Sequence, residues 1–128
     1  MSDSPISTES IVHKSEHKHY LIKWKLVLTM QANGVTRNFH GWFGDISMQD
    51  GTAYLENNLP VKTQFTAVFA LPPKAPHEQP KLIQANCKST YCVLGNNGMF
   101  RAGITFISFS GNGREELAKE LENHIAHG

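Results

Sequence analysis

A chain of 128 residues, 40% apolar and 18% charged, can build one buried core without disulfides or a structural metal. A net charge of +1 leaves no bulk electrostatic footprint for nucleic acid. No apolar run approaches the roughly 20 residues that span a bilayer, and Met1 to Ser10 lacks the apolar centre of a signal peptide, so the expected location is the cytoplasm.

Residues 1–12 are polar and without period, which predicts a mobile arm; residues 13–128 are expected to form one domain. His13, Lys14, His17, Lys18 and His19 make a short basic stretch. Its histidines have ligand-like spacing but no rigid fourth partner, so the stretch reads as solvated and no metal or cofactor is expected. From Tyr20 to Met30 every second residue is apolar, the period of a half-buried strand. Asn33-Gly34 predicts a tight hairpin turn, and Thr36 to Phe43 returns as a second strand.

Gly44 to Gly51 then reads as a turn with more polar groups than a hairpin needs: Asp45, Ser47 and Asp50 between two glycines. Thr52 to Leu55 is a short third strand and Gln64 to Leu71 a fourth, apolar on both faces. A proline-rich loop, Pro72 to Pro80, ends it. Ile83, Ala85, Cys87, Tyr91 and Val93 alternate along a fifth strand, and Phe100, Ala102, Ile104 and Phe106 along a sixth. The odd spacing of Cys87 and Cys92 predicts opposite faces and free thiols. Asn112 is placed to cap a last helix with Glu115, and Leu117, Leu121 and Ile125 form its apolar stripe.

Six antiparallel strands on short connections plus one helix predict a small meandering barrel or sandwich. No hydrolase elbow, zinc-protease pair, phosphate loop or dinucleotide fingerprint is present, so no catalytic residue is assigned. A hydrolase or metal enzyme built on His40, Asp45 and Asp50 is disfavoured, because nothing in their spacing singles it out.

The order of elements resembles the PilZ domain, the bacterial receptor module for cyclic di-GMP. A basic pair precedes a long first strand, a hairpin leads to Asp-x-Ser and a glycine, and a final strand ends Gly103-Ile104-Thr105-Phe106 before a helix. The resemblance covers roughly residues 14–127 and implies an all-β, six-stranded antiparallel β-barrel with a C-terminal helix. It implies a cyclic di-GMP site at Lys14 and Lys18, in the place of an Arg-x-x-x-Arg motif, and at Asp45, Ser47 and Gly51, in the place of Asp/Asn-x-Ser-x-x-Gly. Lysine stands in both arginine positions, and Asp50 stands where the family has glycine. The resemblance thus implies a non-enzymatic sensor that signals through a protein partner. The alternative is an interaction module on the same fold that has lost the nucleotide.

Overall fold

The computed structural model describes residues 18–127. The arm at residues 1–12 and the start of the domain, Lys14 included, lie outside them. Six strands, β1 (Tyr20–Ala32), β2 (Val35–Ile46), β3 (Asp50–Leu55), β4 (Gln64–Leu71), β5 (Lys81–Leu94) and β6 (Phe100–Phe109), precede one helix, α1 (Gly113–His127). All pairings are antiparallel, and the strands close into a barrel in the order β1-β2-β3-β6-β5-β4. The expected meander is therefore corrected: β3 pairs with β6, and the chain crosses over to β4. Closure removes the exposed sheet edge.

The β1–β2 hairpin forms as the dipeptide dictates. Asn33 and Gly34 both take positive φ, 55° and 76°, the conformation of a tight primed turn. From Ala32↔Val35 the register runs in step to Trp24↔Phe43. There it slips: Ile22 and Lys23 of β1 face the single Gly44 of β2, and Leu21 meets Asp45. On its other side β2 also bulges at Gly44, between Phe43↔Ala53 and Asp45↔Thr52. A bulge shifts the inside–outside phase by one residue. Phe43 and Ile46 are both buried in consequence, and Asp45 is lifted to the rim with 24% of its side chain exposed.

A second bulge lies in β5 between Ser89 and Tyr91, and it corrects two expectations. Tyr91 and Val93 point outward, 39% and 46% exposed. Cys92 packs against the same core that holds Cys87, so the cysteines share the inner face. Gly103, opposite Tyr91, makes room for this: a Cβ there would meet the Tyr91 ring.

Phe69 sits at the centre of the core. Its ring stacks on Trp24 at 6.4 Å and on Phe106 at 5.9 Å, and meets Phe43 edge-on at 5.2 Å. The helix runs from Gly113, beside Ile83 of β5, to His124, tilted over Trp24 of β1. It buries Leu117 and Leu121 against the core, while the Ile125 side chain lies outside the described set. Asn112 bonds Glu116 rather than Glu115, and Glu116 also takes Lys81 at 2.9 Å. Glu116 lies one position further round, on the side facing β5; the pair with Lys81 holds its carboxyl below the ordinary range and raises the Lys81 ammonium. The antiparallel order puts the helix, the proline-rich loop, the start of β1 and the β2–β3 turn at one end of the barrel.

Two outcomes follow from this packing. Phe69→Ala should destabilise the fold by about 3–5 kcal/mol in denaturant unfolding, whereas Leu82→Ala, at an exposed site, should stay within about 0.5 kcal/mol. Burial pushes the Cys87 thiol up to about 12, so it stays protonated at pH 8, where the thiolate is the reactive form. Mass-spectrometric alkylation of the native chain should label Cys92, which is half-buried, well before Cys87. Equal rates would contradict the placement of Cys87.

Candidate functional site

The β2–β3 connection is tighter than eight residues. β2 runs on through Ile46 and β3 begins at Asp50, so only Ser47, Met48 and Gln49 lie between them. Ile46 holds β2 in place because it is fully buried. Ser47 organises the turn. Its backbone N–H donates to the Asp50 carbonyl at 2.7 Å. Its Oγ accepts from the N–H groups of Gln49 and Asp50, each at 3.0 Å. Its hydroxyl donates to Asp50 Oδ1 at 2.9 Å, with a longer contact to the Asp50 carbonyl. Ser47 is fully buried, and these bonds use its donor and both of its acceptor lone pairs, as a buried hydroxyl requires.

Gly51 belongs to the wall of the barrel, paired with Ile46 on one side and Ile104 on the other. A Cβ there would lie 2.9 Å from both the Asp45 carbonyl and the Phe43 ring. Its lack of a side chain lets Phe43 pack under the turn. The turn is also tied to β6, since Phe106 N–H donates to the Gln49 carbonyl at 2.8 Å.

The slip at Gly44 sets the start of β1 against this turn, with Tyr20 facing Ile46 and Leu21 facing Asp45. His19, just ahead of β1, joins the two acidic side chains. Its Nδ1 is 2.8 Å from Asp45 Oδ1 and its Nε2 3.0 Å from Asp50 Oδ1. Asp50 Oδ1 thus meets both the Ser47 hydroxyl and the His19 ring. The imidazole uses opposite edges for the two carboxylates, so the three groups do not converge on a point; among the described residues no His/Cys/Asp/Glu group could hold a metal ion. Of the residues expected at the site, Lys18, Asp45, Ser47 and Gly51 lie at this end of the barrel, and Lys14 is outside the described residues. The Lys18 ammonium sits 5.8 Å from the centre of the Tyr20 ring. His40 is elsewhere, on an exposed stretch of β2 opposite Val27.

A row of rings and cations lies beside the lip on the outer wall. Trp42 and Tyr54 stack side by side, centroids 6.0 Å apart at 25°. Lys23 sits 4.7 Å from the centre of the Trp42 ring. The Tyr54 ring lies over Gly44, where a Cβ would come within 2.4 Å of it. Arg101 faces Tyr54 across β3 and β6 and lies 6.0 Å from the Tyr91 ring. Cations beside aromatic rings suit a planar, anionic ligand.

Sequence reasoning weighed His19 only as a disfavoured metal ligand and did not single out Tyr54 or Lys23. Tyr54 was accessible to it: Ala53 and Leu55 are apolar, so alternation places Tyr54 outside. Phe43 is fully buried in the core and offers no stacking surface.

No family model matches the chain, and no curated protein does. Among solved structures the barrel is similar to that of the Bacillus subtilis inhibitor of motility (MotI/DgrA), with a TM-score of 0.67 and 8% identity. The match covers 88% of this chain and 52% of that one, so the chain spans about half the length of the protein it matches. At that identity the likeness speaks for architecture: the chain has a PilZ-like fold, a closed six-stranded antiparallel barrel with one C-terminal helix.

Proposed function

We propose that this chain is a non-enzymatic, cytoplasmic PilZ-like signalling module whose rim, Lys18 to Tyr20 with Asp45 to Gly51, faces cyclic di-GMP and passes the event to a protein partner. The observation that supports the reading is the register of β1 on β2: Leu21 lies against Asp45, so the chain enters β1 from Lys18 and His19 beside the Asp-x-Ser turn. The ligand brings two phosphate charges and two purines. Lys18 and Lys23 supply charge, and the Trp42–Tyr54 pair supplies a flat surface next to Asp45. Lys14 extends the basic segment ahead of β1. Lysine keeps the charge of the family's arginines but lacks the planar fork that grips phosphate two-pronged, and Asp50 adds a negative charge at the rim. Both features predict weak binding.

A second reading is favoured by one specific observation: His19 already engages both carboxylates and the turn already uses the Ser47 hydroxyl. On that reading the module works by protein contact alone.

Calorimetry with cyclic di-GMP decides between them. The sensor reading expects saturable heat and a raised melting temperature in excess ligand. Lys18→Ala and Asp45→Ala should each weaken binding about tenfold or more, a loss of about 1.4 kcal/mol, and His40→Ala should leave it unchanged. In the opposite direction, Asp50→Gly, and Lys14→Arg with Lys18→Arg, should each tighten binding by removing a repulsion or restoring the fork. Absence of heat in wild type and in both gain-of-affinity variants would leave the interaction module standing.

A further inference from the structure

Both ring nitrogens of His19 lie within ion-pair distance of a carboxylate oxygen, at 2.8 Å on β2 and 3.0 Å on β3. Carboxylates at neutral pH only accept hydrogen bonds, and a neutral imidazole carries a single N–H. With one proton on the ring, the other nitrogen would turn a bare lone pair on a carboxylate oxygen. The arrangement is attractive at both ends only for the doubly protonated imidazolium. From this geometry we propose that His19 is a proton-gated latch across the rim: as imidazolium it ties Asp45 to Asp50 over the β2–β3 turn, and loss of one proton releases one end. That the latched rim is the ligand-facing surface rests on the function proposed above; the latch itself does not.

Among the described residues, the ring pairs with these two carboxylates. From β2 it faces Asp45, and from β3 it faces Asp50. Ser47 between them is neutral and already bonded to Asp50. Across from Asp50 on β6 is the uncharged Thr105. Lys18, its neighbour on the same segment, lies on Tyr20. His19 is 43% exposed, so protons exchange with solvent freely. The sign follows directly: the tie exists while the ring carries both protons and is lost when it gives one up. Once the ring is neutral, one of the two carboxylates loses its ion pair, while the Ser47 bonds to Asp50 remain.

The direct test is NMR on the full chain between pH 5.5 and 8.5, without nucleotide. Ring-nitrogen shifts of His19 should report imidazolium at the acidic end. The amide signals of Asp45, Gln49 and Asp50 should shift with the same midpoint as the ring. In His19→Gln that shared transition should vanish, while His40→Gln should keep it. In Asp50→Asn the ring should still titrate, but the Gln49 and Asp50 amides should no longer follow it. Turn amides that ignore the His19 titration, or that keep the transition in His19→Gln, would overturn the latch. A latch seen by NMR in a chain that gives no heat with cyclic di-GMP would uphold the latch and remove the nucleotide reading alone.

Discussion

The register slips on both sides of Gly44, which is the extra residue against β3 and faces two residues of β1, and the rim depends on it. Without the extra residue, strict alternation from Phe39 through Phe43 would turn Asp45 inward and put a carboxylate into a wall made of Phe43, Phe69 and Phe106. Burying such a charge unpaired is among the most costly things a core can do. With the bulge, Phe43 and Ile46 both face the core, and Asp45 stands between them at the surface. Glycine suits the position for a local reason too, since the Tyr54 ring occupies the space a side chain would need. One residue thus sets the phase of β2, exposes Asp45 and gives Tyr54 its seat.

The same slip determines what Asp45 meets. An unbroken register would bring Leu21 opposite Ile46; the slip brings it opposite Asp45 and draws His19 over the turn. The turn beneath is rigid because a buried serine satisfies every polar group it confronts. Rigidity of that kind gives His19 two fixed anchors on neighbouring strands. Exposed ion pairs add little to stability, so the tie matters for the rim more than for the barrel. The barrel rests on the aromatic cluster around Phe69, remote in kind from anything that titrates.

Much of this was legible in the residues. Alternation located all six strands, and Asn33-Gly34 fixed the first hairpin, because period and turn chemistry are local properties. Alternation also placed Trp24, Leu26, Leu28, Ala102 and Ile104 on one face, and all five are buried. What escaped were the bulges at Gly44 and near Thr90, each a single residue inserted into an otherwise regular period. Their effect was out of proportion to their size: one inverted Tyr91, Val93 and Cys92, and the other stretched an apparent turn over residues that belong to β2 and β3. The crossover of β3 to β6 escaped as well, since nothing in a short strand states which distant strand it will meet. His19 could not be matched to Asp45 by counting back from the hairpin, because the count is off by one beyond Trp24.

The departures from the PilZ pattern acquire a common physical sense in the folded chain. An acidic residue at the position of the family's glycine would, by itself, set Asp50 beside Asp45 at one rim, two like charges on adjacent strands. Coulomb repulsion between them would push the turn away from β2. The chain places a histidine just ahead of β1, and the slipped register delivers it between the two. Asp50 and His19 are therefore a matched pair. Remove the histidine and the carboxylates repel; remove Asp50 and the histidine keeps a single anchor. Asp50 also serves the turn from within, as the acceptor of the Ser47 hydroxyl. A rim held by its own imidazole differs in kind from one left open for arginine, since each carboxylate edge already has a partner within the chain.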